Sequence, residues 1–244
     1  MRLDSVEIKV TLPSAQAGPA VEAFGLGAGG RRWEVSFCED VARGTAPATP
    51  LLDTGVVLRA RHKGGAKADT TIKLRPGRRS QLTPYWLEQH ETDDWELKVE
   101  ADWSGDRRVL AAALTADRPG DRIADVRAGR LPLSQLFHDG QQRFLADGSP
   151  IRINLDVLTL LPPVTAVRWP EFEVDPKLSV RAERWTVDDL DFLELSIVAD
   201  PDEAADRQAA LHQYVTAHGF QPDPTAETKT RSVVGHLVEA VLRA

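Results

Sequence analysis

Apolar and polar residues alternate one for one in several short runs of this chain, the period of a strand with one buried face. Over Ser5–Leu12 the apolar residues Val6, Ile8 and Val10 share one face, and Glu7, Lys9 and Thr11 share the other. A second strand is expected over residues 32–41. Two more, Leu58-Arg59-Ala60-Arg61 and residues 71–75, read as a β-hairpin joined across the polar turn 62–69. Residues 95–103 alternate again, with Glu96, Lys98, Glu100 and Asp102 opposite Leu97, Val99 and Ala101. Residues 178–186 set Ser179, Arg181, Glu183 and Trp185 on one face. Residues 192–198 follow across a short acidic connection and place Glu194 and Ser196 on one side.

Other stretches break this period. Residues 107–145, with VLAAALTA and then Leu133, Leu136 and Phe137, read as helices covering one side or one mouth of a sheet. Residues 151–168 read as a strand with Ile151, Ile153, Leu155 and Val157 on one face, broken at Pro162-Pro163 and followed by a second strand ending at Arg168. Pro13, Pro19 and the GLGAGG run leave room for a short helix near residues 20–24. The GLGAGG run reads as a turn, since it neither follows a buried strand nor opens a helix. Residues 42–50 read as a loop and 81–90 as an irregular or short helical connection. An amphipathic helix is expected over 201–218, with Ala205, Ala209, Leu211 and Val215 toward the core and a stop at Gly219, and a final helix over 229–242.

Composition narrows the class. The 244 residues are 42% hydrophobic and 27% charged, as in an ordinary globular protein, and no internal repeat or low-complexity linker divides them, so one domain over 1–244 is expected. A net charge of −7 argues against a general nucleic-acid or anionic-membrane surface, so any basic site must be local. The single cysteine, Cys38, excludes an internal disulfide and a multi-cysteine zinc site; its setting is that of a small apolar strand residue. The six histidines lack ligand-like spacing, and most of the six tryptophans fall at strand ends, where rim or core packing is the common role. No run approaches the roughly 20 apolar residues that cross a bilayer, and the expected location is the cytoplasm.

The charges on the polar faces carry the chemistry. Arg59 and Arg61 on one strand and Lys73 and Arg75 on the next put four cations on one face of the hairpin. Such an array repels itself unless an anion or opposing carboxylates sit among them. The carboxylates of residues 96–102 suit a hard divalent cation, which takes oxygen ligands. Two arrangements fit these facts. In an ordinary antiparallel sheet Glu7, Arg59, Arg61 and Lys73 face water; around an interior site they face one another.

The ordered set Glu7-x-Lys9, Leu58-Arg59-Ala60-Arg61 after DTGVV, Thr71-Ile72-Lys73 and Phe192-Leu193-Glu194-Leu195-Ser196 resembles the CYTH superfamily. These are the triphosphate tunnel metalloenzymes, which include class IV adenylate cyclases, thiamine triphosphatases and inorganic triphosphatases. The resemblance implies an α+β fold in which an antiparallel eight-stranded β-barrel with covering helices forms a charged tunnel. Acidic residues there hold one or two divalent ions, Mg²⁺ or Mn²⁺, and basic residues bind a triphosphate-containing small molecule. Carried over, Lys9, Arg59, Arg61, Lys73 and Arg75 are phosphate ligands, with Lys9 and Lys73 the catalytic pair, and Glu7 and Glu194 are metal ligands. Strand alternation adds Glu100, Asp102 and Glu183 to the metal set and Arg181 to the phosphate set. The family opens with Glu-x-Glu-x-Lys; here Ser5 takes the first acidic position, Asp4 is out of phase and expected to point the other way, and Ser196 follows Glu194 where a second Glu is common. The implied activity is metal-dependent hydrolysis of an inorganic or organic triphosphate by metal-activated water. The alternatives are a non-catalytic polyphosphate or nucleotide-binding module that has lost part of the metal site, and an adenylate cyclase.

Overall fold

The strands with charged faces curl into one closed ring. The structure is a computed structural model that describes residues 4–41, 49–75, 82–88, 91–175, 178–222 and 228–243. Its strands are β1 (Ser5–Leu12), β2 (Arg31–Glu39), β3 (Val56–Gly64), β4 (Lys67–Leu74), β5 (Trp95–Ser104), β6 (Arg107–Pro119), β7 (Thr159–Leu160), β8 (Val164–Arg168), β9 (Phe172–Asp175), β10 (Leu178–Val187) and β11 (Leu190–Ala199). Around the barrel the order is β1-β5-β6-β4-β3-β2-β8-β10-β11, and β11 closes on β1; β7 and β9 flank it on β2 and β10. The expected α+β barrel is present, with nine described strands in the ring where eight were expected. A ring with an odd number of strands cannot alternate direction all the way round, and the parallel pair this forces is β1 with β5.

Alternation sorts each barrel strand between two environments. On β1, Val6, Ile8 and Leu12 are essentially inaccessible and pack outward, while Glu7, Lys9 and Thr11 point into the barrel. Burying each of these large side chains contributes about 2 kcal/mol. The outer face of β1 is covered by α1 (Ser14–Ala23), through Ala17 and Ala20, and by α6 (Ala204–Ala217), through Leu211 and Val215. The outer face of β3, β4 and β6 is covered by α4 (Gly120–Arg127) and α5 (Asp139–Gly148). Gln141 on α5, wholly buried, accepts from Thr70 Oγ1 at 2.7 Å and donates to the carbonyls of Thr70 and Leu114, tying β4 to β6. Two short helices, α2 (Pro50–Asp53) and α3 (Pro84–Glu88), precede β3 and β5. The final helix, α7 (Lys229–Arg243), lays Val233, Val234, Leu237 and Val238 against Phe37, Trp185 and Val57, whose side chains face inward, and so covers one end of the barrel.

Four expectations change. Residues 107–119 form β6 and not a helix. Ala112, Leu114 and Ala116 face the α4–α5 layer while Val109, Ala113 and Thr115 face the tunnel, so both faces are small or apolar and the two-residue period disappears. Residues 151–157 are irregular and end in a 3₁₀ turn capped by Asn154; Leu155 is buried and Ile153 packs against the core, but Ile151 and Val157 are exposed, so the expected strand face is only partly covered. Helix α1 starts at Ser14, well before the expected 20–24, and keeps Pro19 because burial of Ala17 and Ala20 outweighs one lost backbone donor. On α6 the buried stripe is Ala204, Leu211 and Val215; Ala205 and Ala209 lie outside it and are exposed. Most of the loop expected over 42–50 lies outside the described residues. The GLGAGG run is a turn, and Gly30 within it is required by close approach, since a Cβ there would run into Val167 and the Trp169 ring.

Candidate functional site

The inward faces of the nine strands enclose a cavity of about 430 Å³. Every residue singled out from the sequence lines it: Glu7, Lys9, Arg59, Arg61, Lys73, Arg75, Glu100, Asp102, Arg181, Glu183 and Glu194. They therefore face one another, as the interior arrangement requires. Among the described lining residues, ten are Lys or Arg and seven are Asp or Glu, an excess of three positive charges inside a chain whose net charge is −7.

The acidic centre is built by the parallel pair. In the β1–β5 register Ser5 lies beside Glu100 and Glu7 beside Asp102, so the strand pair delivers carboxylates to one spot. One oxygen from each of Glu7, Glu100 and Asp102 lies within 4.8 Å of the others, a spacing that a single hard cation could bridge. Three cations hold this trio. Lys9 Nζ is 2.6 Å from Glu7 Oε2, Lys73 Nζ is 3.0 Å from Glu100 Oε1 and 2.9 Å from Asp102 Oδ2, and Arg75 Nη2 is 2.6 Å from Asp102 Oδ2. Burial works to raise the carboxyls of Glu7 and Asp102, but the neighbouring ammonium and guanidinium groups outweigh it and hold both well below the usual range. Burial, with Arg75 and Lys9 close by, pushes the Lys73 ammonium down; Lys9, flanked by Glu7 and Asp102, is pushed up in spite of its burial.

The basic wall is β3 and β4. Arg61 makes a two-pronged pair with Asp69 at 2.7 and 2.8 Å, which Lys63 joins, and burial at Asp69 is outweighed so that its carboxyl is held low. Arg59, between Arg61 and the acidic trio, donates to Thr71 Oγ1 at 3.2 Å and has no carboxylate within ion-pair distance among the described residues. Burial first, and Arg61 second, lower its guanidinium to about 10. Arg181 lies at the rim, paired with Glu171 at 3.1 Å and 40% exposed. Asp4 also reaches the rim and accepts from the Val99 N–H at 2.9 Å, outside the acidic trio.

Three lining cations escaped the sequence reading. Lys229 opens α7 and places Nζ 2.9 Å from Glu194 Oε1, 3.4 Å from Glu183 Oε1 and 4.3 Å from the centre of the Trp185 ring. Glu183 also accepts from Trp185 Nε1; burial opposes its ionisation, yet Lys229 and that bond bring its carboxyl down to about 2. A helix start has no two-residue period to reveal it. Arg107 was hidden by reading β6 as helix. Arg168 ends β8 and lies 5.1 Å from the centre of the Trp33 ring, beside Arg61; its one signal is its place at the end of an apolar strand. Elsewhere, Cys38 is buried on the helix-covered face of β2 with its thiol pushed up by burial, as suits a structural residue.

No family model matches the chain. No curated protein matches it either. Solved structures do. A protein from Hippeastrum, described as an adenylyl cyclase candidate with a dominant triphosphatase activity, superposes with a TM-score of 0.59 at 14% identity, over 93% of each chain. A Bacillus halodurans protein described as an adenylate cyclase candidate gives a TM-score of 0.56 at 12% identity, over 94% of this chain and 97% of its own. The chain shares the barrel architecture of these two proteins.

Proposed function

We propose that this barrel binds the triphosphate group of a small molecule and hydrolyses it. The observation that carries the reading is Arg59, a half-buried guanidinium on the tunnel wall with no carboxylate within ion-pair distance among the described residues, within a lining that holds three more cations than carboxylates. Leaving a charge buried and unpaired is costly, so the tunnel is poised for an anion from outside. A triphosphate, with about four negative charges near neutral pH, matches that excess and the elongated, multi-pronged donor set. The triphosphatase activity described for the Hippeastrum protein supports hydrolysis over simple binding.

In this reading Arg59 and Arg61 from β3 and Lys73 and Arg75 from the end of β4 grip the phosphate oxygens along one wall, with Lys9 facing them from β1. Glu7, Glu100 and Asp102 fit a divalent ion, Mg²⁺ or Mn²⁺, in donor type and spacing. Bound there, the ion would polarise a phosphoryl oxygen and make water a stronger nucleophile near neutral pH. The chain's own part is to orient the phosphates, neutralise the charge that develops on them and hold the reacting group in a narrow, shielded cavity. The test is phosphate release from tripolyphosphate with Mg²⁺ or Mn²⁺, compared with Lys73→Ala. Release at the level of the variant sinks the hydrolase reading. Metal-independent binding by calorimetry without release would instead mark a binding module, the reading that Ser5 and Ser196 favour, and cyclic AMP formed from ATP would mark a cyclase.

A further inference from the structure

We propose that Lys229 is an internal counter-cation standing in the place of a second divalent ion, so that the tunnel takes one ion, at Glu7, Glu100 and Asp102. The inference rests on the metal-dependent triphosphatase reading above and decides how many ions that reaction uses. Its first support is the setting of the Lys229 ammonium. The side chain is 7% exposed and its Nζ lies between Glu194 at 2.9 Å and Glu183 at 3.4 Å, with the Trp185 ring on a third side. Glu183 is engaged again by Trp185 Nε1. A divalent ion at this pair would have to displace the ammonium and surround itself with oxygen ligands, yet one side of the space is an indole face. An ammonium, in contrast, is held well by two carboxylates and an aromatic ring.

Second, the lysine is delivered by a rigid element. Helix α7 is fixed to the barrel end by Val233, Val234, Leu237 and Val238 in the core, by Arg231 with Asp53 at 2.7 Å, and by His236 with Asp188 at 2.7 Å. The helix thereby fixes the backbone position from which Nζ reaches the two glutamates. The cations on Glu7, Glu100 and Asp102 differ, since Lys9, Lys73 and Arg75 stand on the strands that line the anion's path and can pair with phosphate oxygens instead.

The experiment counts Mn²⁺ bound to the full-length chain, from the electron paramagnetic resonance signal of the free ion during titration. One Mn²⁺ per chain is expected for the unaltered protein and for Lys229→Arg, and two for Lys229→Met, in which Glu183 and Glu194 are left free to take an ion. Glu194→Gln should stay at one and Asp102→Asn fall to none, so the inference is tested even if Lys229→Met does not fold. Two ions on the unaltered protein, a single ion on folded Lys229→Met, or loss of the ion in Glu194→Gln overturns the inference while leaving metal dependence standing. No Mn²⁺ on any of these proteins overturns the metal reading and the inference together.

Discussion

Lys73 Nζ meets Asp102 Oδ2 at 2.9 Å although their strands are not neighbours: β4 and β5 are separated by β6, and the pair closes over it. It can do so because β6 presents alanine there. Ala113 lies directly beside Lys73 in one register and beside Lys98 in the other, and Ala111 lies beside Glu100. The small residues that disguised this strand as a helix are the ones that leave room for the charges above it.

That geometry makes Ala113 a test of the tunnel. Ala113→Leu places a branched side chain where Lys73 crosses to Glu100 and Asp102. Tripolyphosphate affinity is expected to fall at least about tenfold, equivalent to about 1.4 kcal/mol. Because the side chain enters cavity and not packed core, the unfolding midpoint in urea should move less than in Asp102→Asn. Calorimetry and urea unfolding on the same protein check both halves.

Arg59 and Asp102 should respond in opposite ways to neutralisation. Arg59→Met removes a half-buried guanidinium that has no carboxylate within ion-pair distance among the described residues, so stability is expected to hold or rise while triphosphate affinity falls. A loss of stability in urea would show that the guanidinium is already compensated.

Asp102→Asn leaves Lys73, Arg75 and Lys9 facing one another without their shared carboxylate. The cost of stranding buried charges is about 3 kcal/mol, readable as a shift of the urea midpoint at unchanged slope.

Acid should expose the Glu183–Lys229 pair. The Glu183 carboxyl is lowered from 4.5 to about 2, so ionised Glu183 stabilises the folded chain fully above its ordinary value and loses that contribution as pH falls from about 4.5 toward 2. By linkage the contribution is roughly 3 kcal/mol. Unfolding free energies measured at pH 7 and pH 3 should differ less for Glu183→Gln than for the unaltered chain. Equal acid losses would show that the carboxyl is not held down.

Much of the barrel was legible because strand alternation depends on local sequence. Val6, Ile8 and Val10 against Glu7, Lys9 and Thr11 fix two faces wherever the strand ends up, and the same holds for Arg59 and Arg61, Lys73 and Arg75, and Glu194 and Ser196. Alternation fails where both faces carry similar residues, which is why β6 read as helix. It is also silent about a cation at a helix start, which is why Lys229 was missed.

By itself, then, the sequence determined which residues share a face and that those faces are charged, since the side-chain period of a strand is local geometry. Only the tertiary structure decided that the charged faces turn inward, because closure of the ring depends on which distant strands pair. The parallel pairing of β1 with β5 sets Glu7 beside Asp102, 95 positions on, and the packing of α7 over one end sets Lys229 on Glu183 and Glu194. Those contacts join segments 35 to 95 positions apart in the chain, and their free energy comes from burying the outer faces under helices, a quantity that no single run of residues contains.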